Sequence, residues 1–560
     1  RAKAPLTSTA NPESLRSAYR YRSRRNNANN SNVITDIYDS EIYKNIPKNV
    51  NLIVTFNYST DGAPLTKSGK RGFWPLQIIL NCLPPQNKFK YVILAGLLIC
   101  THEPNSKLLD LYFFKFNDQI SYLYNTGISV RDSNNKKIRV KFCPLVCSVD
   151  SVCRPIMQNR VQFNGRYGCS WCYHPGEYIA EIHRIRYLVR EDDPPLRTAG
   201  GHHKNVQVVR DLKKNSEMGV RGDISVSQIP QIDMVWSFAY EYMHGILCGV
   251  SKYIWSQWTS DPKSCFKLNK ADRNIINQRL SLIKPTQDIH RLPESLHDRA
   301  KWKASTEKSW LLYYSLPCLK GILNQDAFTH YSLLINSLYV LLQTEITANE
   351  LKQCEYNLLK FVGYFELYYG QQKMTFNVHA LLHIVQSVKK TGPLWSSSTF
   401  PFESNIYKLK QCMNGPNGID QQMSKKSLEI LLFLMNNIDY SDASGVREYC
   451  TNLFQYKHLS NSGMYDDNNV VLIGKCYRVK CDDRMYKAYK KCIVKGVIFH
   501  SQKYRKARRT SDTMVKLHSG EYGQILHIIL LNNKCHIQIS KITISSNKPF
   551  VHVSYMDKIE

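Results

Sequence analysis

The sequence predicts an α/β fold: a mixed core, interrupted by a large α-helical insertion and followed by a small, basic, β-rich domain. Three observations along the chain predict it. Strand-like apolar runs alternate with turns from about residue 50 to 165, apolar residues recur at helical spacing from about 175 to 395, and short β-like runs return after about residue 462. At 560 residues, 43% of them hydrophobic, the chain is longer than one core usually supports. Several structural units are therefore expected.

The expected segments follow these changes of pattern. They are a disordered basic arm over 1–45, the first part of the core over 46–168, the helical insertion over 169–395, the last core helices over 396–455 and the β-rich domain over 462–560. The arm is rich in Asn and Ser and contains a basic cluster at Arg20, Arg22, Arg24 and Arg25. That composition favours a solvated tail, which could touch DNA or act as a nuclear import signal.

The core segment contains two strand-like runs that end in an aspartate. The first ends at Asp61 and the second at Asp150, with two further runs and a helical stretch over 108–125 between them. Three strands, a helix and a further strand is the order of an RNase H-like core, in which the first and fourth strands are neighbours. We therefore expect Asp61 and Asp150 to lie side by side. The apolar run Tyr91–Cys100 predicts a buried central strand and is too short to span a bilayer.

The helical insertion is predicted from the spacing of its apolar residues. Helical intervals occur over Ile232–Trp258, Trp310–Leu323, Tyr331–Leu342 and Glu355–Leu367. After the insertion, Glu403 opens the helix-like segment Phe402–Lys410, and the core is completed by a helix over Ser427–Asn437. Glu403 is therefore expected on a helix that packs against the core.

The last segment is predicted to be β-rich and strongly basic. Its strand-like runs are Val470–Ile473, Ile493–Ile498, Ile525–Leu531, His536–Ile542 and Phe550–Val553. Basic residues form two clusters: Lys475, Arg478, Lys480, Arg484, Lys487, Lys490 and Lys491, then Lys503, Arg505, Lys506, Arg508 and Arg509. We expect such a surface to hold a nucleic-acid backbone without reading its sequence.

The three acidic residues define a candidate catalytic site. Two strand-end aspartates and a helix-borne glutamate are how an RNase H-like nuclease holds two Mg²⁺ ions, and Mn²⁺ could take their place. Two metals about 3.5–4 Å apart stabilise both the attacking and the leaving oxygen of a phosphoryl transfer. The predicted ligands are Asp61, Asp150 and Glu403.

Two cysteines and two histidines make up a candidate zinc site. Cys169 and Cys172 form a C-x-x-C pair, and His379 and His383 form an H-x-x-x-H pair that a helix would present on one face. Together they supply the four ligands of a tetrahedral zinc. Such a zinc would fix both ends of the insertion to the core, since Cys169 lies 19 residues after Asp150 and His383 lies 20 before Glu403. The alternative is two buried thiols and two unconnected histidines.

A further candidate is His244, which follows Glu241 by three residues in a helix-like segment. The spacing puts the two side chains on one helical face. Near the metals, His244 could bind a phosphate or the attacking water. The alternative is a buried histidine with satisfied hydrogen bonds.

Charge and cysteine content narrow the class of protein. The formal charge is +30, which predicts a polyanionic partner, nucleic acid first. A merely basic soluble protein is the alternative. The 17 cysteines are scattered and odd in number, which favours a reduced, intracellular chain with some thiols on metal. The first residue is Arg1, so we expect a missing N-terminal segment, which could carry a targeting or DNA-binding module.

The order of these motifs resembles the transposases of the CACTA (En/Spm) superfamily of DNA transposons, in its animal branch. The resemblance runs from about residue 50 to 450, and the whole ordered set is specific although no single element is. The matching strings are Tyr58–Pro64, Phe73–Leu76, Leu83–Pro85, Asp150, Asn164–Cys172, Tyr242–Gly245, Asn377–His383, Gly392–Trp395 and Phe402–Glu403. The sequence departs from the family at Glu241, where Asp is more frequent.

The resemblance implies a DDE catalytic core of RNase H fold, with Asp61, Asp150 and Glu403 as its carboxylates. It implies Mg²⁺-dependent cleavage of double-stranded DNA at transposon ends and transfer of the freed 3′-OH into target DNA. The two pairs of zinc ligands are also similar to those of the V(D)J recombinase catalytic subunit, in which they share one zinc. A homodimer or higher oligomer, a nuclear location and no membrane association are expected with that activity.

Two other functions share these motifs. A domesticated or inactive transposase would act as a zinc-stabilised DNA-binding or interaction protein. A nuclease without strand transfer would keep the same carboxylates. Mg²⁺-dependent nicking of terminal-repeat DNA separates the first from a transposase, and a joining assay separates the second.

Overall fold

The computed structural model shows a mixed α/β protein. It describes residues 33–47, 52–65, 71–102, 104–131, 135–286, 289, 291–415, 417–435, 463–465, 470–481, 484–494, 497–504, 510–517 and 519–542. The chain divides into two compact units, one of Arg1–Leu268 with Leu323–Asn437 and one of Asn269–Ile322 with Ile438–Glu560. The arginine cluster of the arm, the segment 505–509 and the predicted strand Phe550–Val553 lie outside the described residues.

The first unit is built on one mixed sheet. Its strands are β1 (Leu52–Thr60), β2 (Gly72–Leu80), β3 (Ile93–Cys100), β4 (Ile128–Arg131) and β5 (Lys137–Cys147), with a helix α1 (Ser106–Asn125) between β3 and β4. Their order across the sheet is β3-β2-β1-β5-β4, and a two-residue strand, Ala63–Pro64, adds to β2. β1 pairs in parallel with β5, and the remaining pairs are antiparallel. The strands that precede Asp61 and Asp150 are therefore direct neighbours.

The interpretation of Tyr91–Cys100 as a buried central strand is wrong. β3 lies at the edge of the sheet, where it pairs with β2 alone among the described strands, and all of its residues are half-buried. A continuous apolar run does identify a strand covered on both faces, but it does not say how many neighbours the strand has. The central position belongs to β1, most of which is buried.

Helices cover both faces of this sheet. On one face, Leu109, Phe113 and Phe116 of α1 pack on apolar side chains of β1 and β2. Their spacing of four and three residues places them on one side of the helix, which begins after the N-cap Asn105. On the other face, Phe73 of β2 packs against the helices that follow the insertion.

Most helices of the first unit after α1 are longer than one turn, and some begin with a side-chain N-cap. They include α2 (Ala199–Asp211), α3 (Ser251–Thr259), α5 (Gln325–Leu341), α6 (Ala348–Tyr369), α7 (Phe376–Ala380), α8 (Ile384–Thr391), α9 (Phe400–Gln411) and α10 (Ile419–Met435), with α4 (Lys270–Leu282) in the second unit. α6 begins with a capping box between Thr347 and Glu350 and ends at Gly370, whose φ is 87°.

The predicted helix over Ile232–Trp258 is only partly present. Helical structure begins at Met243, with a π-helical stretch Met243–Val250 that continues into α3. The preceding segment turns instead: the carboxylate of Asp233 accepts hydrogen bonds from the backbone N–H groups of Val235 and Trp236. An aspartate that bonds to its own backbone two residues on favours a turn over a helix.

Residues 33–47, most of which the sequence assigns to the disordered arm, are ordered on the first unit. Val33–Ile34 pairs with Ile346–Thr347, and Ile37 is buried in a small apolar cluster. Asp36 forms a fully buried ion pair with Lys88 at 3.5 Å. These contacts connect the start of the described chain both to the sheet and to the helices of the insertion.

The second unit contains two antiparallel sheets and several helices. Its strands are β6 (Gly463–Tyr465), β7 (Val471–Ile473), β8 (Tyr477–Cys481), β9 (Arg484–Tyr489), β10 (Lys491–Val494), β11 (Val497–His500), β12 (Met514–Lys516), β13 (Tyr522–Leu531) and β14 (Lys534–Ile542). One sheet has the order β6-β7-β10-β11, and the other has β8-β9-β13-β12 with β14 on β13. The predicted single strand Ile493–Ile498 is instead a hairpin of β10 and β11.

Candidate active site and metal centre

Asp61 and Asp150 follow the two parallel strands at the same edge of the sheet. Asp61 comes directly after β1, and Asp150 comes three residues after the end of β5. One oxygen of Asp150 accepts hydrogen bonds from the backbone N–H groups of Val152, at 3.1 Å, and Cys153, at 2.6 Å. Asp61 accepts a hydrogen bond from the N–H of Gly62 at 2.7 Å. Each carboxylate therefore keeps a second oxygen for another partner.

Glu403 reaches the aspartates from α9. This helix packs its apolar residues Ile406 and Leu409 against Phe73 of β2, together with Met423 of α10. Glu403 lies in the first turn, one residue after the buried Phe402. That position turns its side chain towards the carboxyl end of β1.

One cavity collects all four of the predicted catalytic side chains. Asp61, Asp150, His244 and Glu403 line it, together with Ser59, Thr60, Val149, Thr399, Phe402 and Ile406. The four residues come from two strand ends and two separate helical segments. The cavity is therefore lined by three carboxyl groups and one imidazole.

The carboxylates are close enough to change their own protonation. Burial, a hydrogen bond to Glu403 and the negative charges of Glu403 and Asp150 raise the pKa of Asp61 from 3.8 to about 8. Two carboxyl groups in contact need a shared proton or a bound cation. Without a cation, the pair holds a proton at neutral pH.

His244 is fixed by Glu241, which is almost completely buried. Nδ1 of His244 lies 2.8 Å from Glu241, and Nε2 lies 3.8 Å from Glu403 in the cavity. Burial lowers the pKa of His244, but the hydrogen bond and charge of Glu241 outweigh burial and raise it to about 9. The imidazole is therefore a cationic donor at neutral pH.

Glu241 itself connects several parts of the site. Its carboxylate accepts hydrogen bonds from the N–H groups of Met243, at 3.0 Å, and His244, at 2.8 Å, and from Thr399 N at 3.3 Å. Thr399 precedes α9, so Glu241 links the His244 segment to the helix of Glu403. The sequence shows the helical spacing of Glu241 and His244, but it has no signal for the bond to Thr399.

The predicted zinc ligands form a buried Cys₂His₂ cluster. Sγ of Cys169 lies 3.4 Å from Nε2 of His383, Sγ of Cys172 lies 3.3 Å from Nε2 of His379, and the two Nε2 atoms are 3.2 Å apart. All four ligand atoms lie within 4.8 Å of one another. At metal–ligand lengths of about 2.0–2.3 Å, the corners of a tetrahedral zinc site are about 3.3–3.8 Å apart. The cluster could therefore hold a metal such as zinc.

The protonation of the cluster suits a metal at His379 and Cys169. Burial lowers the pKa of His379 to about 4, so its ring is neutral at pH 7, as a metal ligand must be. Burial opposes ionisation of Cys169, but Cys172 and the two histidines lower the pKa of its thiol well below the usual value. The hydrogen bond to Cys169 and burial raise the pKa of Cys172, so a metal would displace the proton of that thiol on binding. The nearby His174 is not free to coordinate, because its ring nitrogens bond to Leu188 O and Gly176 N.

Two buried arginines hold the loop between the cysteines. Nε of Arg197 donates to the carbonyl oxygens of Cys169, at 3.0 Å, and Cys172, at 2.8 Å, while Arg160 donates to Cys169 and Ser170. These bonds set the backbone and leave the sulfur atoms for a metal. His379 and His383 lie on α7 and the 3-10 turn that follows it, not on one continuous α-helix as predicted.

The Cys₂His₂ cluster is connected to the turn of Asp150 through an aromatic contact. The guanidinium carbon of Arg154 lies 4.1 Å from the ring centroid of Trp171. Trp171 stands between Cys169 and Cys172 in the sequence. Arg154 is in the short helix that begins after Asp150. The loop of the cluster therefore supports the turn that carries the second aspartate.

Comparison with known proteins gives no assignment. No protein-family model matches the chain, and no curated protein matches it. The part of the chain that the structure describes has no helix with both the length and the apolar character needed to cross a membrane. Function is therefore inferred from the geometry of the site.

Proposed function

We propose that this chain is a DDE-type DNA transposase, of the CACTA-like class that its motifs resemble. The observation that carries the proposal is the convergence of Asp61, Asp150 and Glu403 on one cavity. The contact between Asp61 and Glu403 places two carboxyl groups side by side, and a bound cation would stabilise both as carboxylates. Divalent cations such as Mg²⁺ bind to oxygen ligands of this kind.

The topology of the sheet supports an RNase H-like core. β1 lies between its antiparallel neighbour β2 and its parallel neighbour β5, and a helix separates the three leading strands from the rest. This is the order expected of such a core, except that the short strand β4 precedes β5 and pairs at its outer edge. The third carboxylate then comes from a helix that follows the insertion.

The residues of the cavity have distinct roles in this proposal. Asp61, Asp150 and Glu403 would hold two Mg²⁺ or Mn²⁺ ions, which supply an activated nucleophile and stabilise the leaving oxygen. Asp150 is oriented by the backbone of the turn after it. His244, cationic and beside Glu403, would donate to a phosphate oxygen. The Cys₂His₂ cluster would hold a structural zinc.

DNA would be held by the basic surface of the second unit. Arg478, Lys480 and Lys487 are exposed on the hairpin of β8 and β9. Arg478 lies directly opposite Lys487, and Lys480 is two residues further along the same strand, so the three share one face. A transposase must act on two transposon ends, so we propose that the active form is a dimer or a higher oligomer in the nucleus.

The test is cleavage of a plasmid that carries the genomic DNA flanking the coding sequence, which supplies the transposon ends. Nicking is expected in Mg²⁺ or Mn²⁺ and not in EDTA. Asp150→Asn should abolish nicking while duplex affinity stays within about twofold of wild type, since the residues that we propose hold DNA do not line the cavity. An Asp150→Asn protein that still nicks would contradict the assignment.

Two further outcomes separate the alternatives. Joining of a labelled, pre-cut end to a second plasmid distinguishes a transposase from a nuclease without strand transfer. Wild-type protein that binds duplex DNA and retains zinc, but never cuts with either metal, would favour the DNA-binding or interaction protein.

A further inference from the structure

A buried glutamine lies beneath the helix that carries Glu403. Gln77 is in the middle of β2 and is fully buried. Its Oε1 accepts a hydrogen bond from Nδ2 of Asn405 at 2.8 Å, and its Nε2 donates to the carbonyl oxygen of Phe402 at 3.4 Å. The two bonds contact α9 one residue before Glu403 and two residues after it.

The position of Gln77 in the sheet places it beside the catalytic cavity. Gln77 is the register partner of Ser59 on β1. Ser59 lines the cavity and is two residues before Asp61. Gln77 therefore connects the strand next to Asp61 with the helical turn of Glu403.

Among the residues that the structure describes, the other contacts between α9 and the sheet are apolar. Phe402, Ile406 and Leu409 are buried, and Ile406 and Leu409 pack with Phe73. Apolar contacts are non-directional and fix neither the rotation nor the axial position of a helix closely. Hydrogen bonds to the two ends of one amide are directional and fix both. The side chain of Glu403 is 37% exposed, so it depends on the placement of its backbone.

We propose that Gln77 and Asn405 are positioning residues that hold Glu403 against Asp61 for metal binding, an inference that rests on the proposed function. A primary amide at position 77 supplies the donor and the acceptor together. Neither residue lines the cavity. The pair acts by setting the distance between the third carboxylate and the two strand-end aspartates.

The first test is Mn²⁺ binding to the DNA-free protein, measured by electron paramagnetic resonance. Gln77→Met keeps the length of the side chain and removes both hydrogen bonds. We expect its Mn²⁺ affinity to fall about 10–100-fold, the usual effect of losing an outer support of a metal site. Asn405→Ala, at a half-buried position, serves if Gln77→Met does not fold, and it should weaken binding in the same direction. Because the two residues act as one unit, the double variant should bind Mn²⁺ about as tightly as the single variant that has the lower affinity.

The matched control is Asn357→Leu. Asn357 is also a buried amide that accepts from one residue, Gln353, and donates to another, Asn336. Its loss should lower the free energy of unfolding without changing Mn²⁺ affinity. If Gln77→Met binds Mn²⁺ as tightly as wild type, or if Asn357→Leu weakens binding equally, the positioning role is wrong.

Cleavage then separates this inference from the proposed function. In a wild type that nicks DNA, Gln77→Met should need about 10–100-fold more Mg²⁺ for half-maximal rate, with the KM for DNA unchanged. Normal nicking at normal Mg²⁺ by Gln77→Met would overturn the positioning role and leave the transposase proposal intact. Weakened Mn²⁺ binding in a protein whose wild type never cuts would support positioning and overturn the activity.

Discussion

At the scale of single residues, the carboxylates could be predicted and their supports could not. Asp61 and Asp150 end strand-like runs and Glu403 opens a helix-like segment, and these patterns are visible in the sequence. Gln77 and Glu241 form hydrogen bonds with residues 325 and 158 positions away, and no local pattern marks such a partner. Tertiary contact alone defines them.

The raised pKa of Asp61 predicts how stability depends on pH. Its pKa is 3.8 in the unfolded chain and about 8 in the metal-free fold, so between these values the native state binds more protons. The contribution of Asp61, protonated and hydrogen-bonded to Glu403, to the free energy of unfolding is complete below about pH 4 and is lost as pH rises through 8. Asp61→Asn removes this loss, and we expect it to stabilise the metal-free protein by about 1–2 kcal/mol at pH 8.5. Denaturant unfolding in EDTA at pH 5 and pH 8.5 measures it, and an equal gain at both values would contradict the explanation.

The pair of Glu241 and His244 predicts a different window. The pKa of His244 is raised from 6.5 to about 9, and the pKa of Glu241 is lowered from 4.5 by its bonds to His244 and the backbone, although burial opposes this. The stabilisation that the two side chains give each other is complete between about pH 4.5 and pH 6.5, the ordinary pKa values of the two groups. It is lost in acid as Glu241 protonates, and it is lost in base as pH rises through 9. Glu241→Gln should therefore lower the free energy of unfolding by about 1–3 kcal/mol near pH 6.5 and by less above pH 9. Urea unfolding across pH 5–10 tests this, and a cost independent of pH would refute the ion pair.

At the scale of helices and strands, the sequence predicts which elements form better than it predicts where they begin or lie in the fold. The parallel pairing of β1 and β5 follows from the order of three strands, a helix and a strand. The edge position of β3 does not follow from the sequence. An apolar run indicates that both faces of a strand are covered, but it does not indicate how many strands pair with it. The start of helical structure at Met243 does not follow either, since Asp233 bonds to the backbone and forms a turn inside an otherwise apolar stretch.

The Cys₂His₂ cluster predicts that the protein binds zinc and is stabilised by it. Cys172→Ser should reduce bound zinc from about one per chain to nearly none, because serine is a poor zinc ligand. Loss of the ligand set should also lower the unfolding midpoint, since metal binding contributes to folding. Mass spectrometry of the purified protein measures zinc. Cys354→Ser is the control, a buried thiol outside the cluster that bonds to Ser337 O, and it should keep its zinc.

At the scale of the whole molecule, charge is the property that composition predicts directly. The excess of 75 basic over 45 acidic residues is fixed by the sequence, but its distribution is not. The structure places Arg478, Lys480 and Lys487 on one face of a hairpin, because alternate residues of a strand share a face. The clusters at residues 20–25 and 505–509 lie outside the described residues.

The basic hairpin predicts the salt dependence of DNA binding. Replacing Arg478, Lys480 and Lys487 by Ala should reduce the slope of log affinity against log salt by about 0.9 for each phosphate that the variant no longer neutralises, about 2–3 in all. The weakening should be similar for unrelated duplex sequences, because backbone contacts do not read bases. Fluorescence anisotropy at 50–300 mM salt, roughly the range over which such slopes are measured, provides the data. Lys541→Ala is the control, since Lys541 is already paired with Glu521, and an unchanged slope in the triple variant would exclude this surface.

The separation of the three carboxylates along the chain has a consequence during translation. Both aspartates have been synthesised by residue 150, whereas Glu403 follows 253 residues later (403 minus 150). At about 5–20 residues per second, a ribosome needs roughly 10–50 s to cover that distance. Throughout this interval a nascent chain has two of the three acidic residues that we propose bind metal. A message truncated anywhere in the insertion therefore yields a chain without Glu403, in which the proposed set of three carboxylates cannot form.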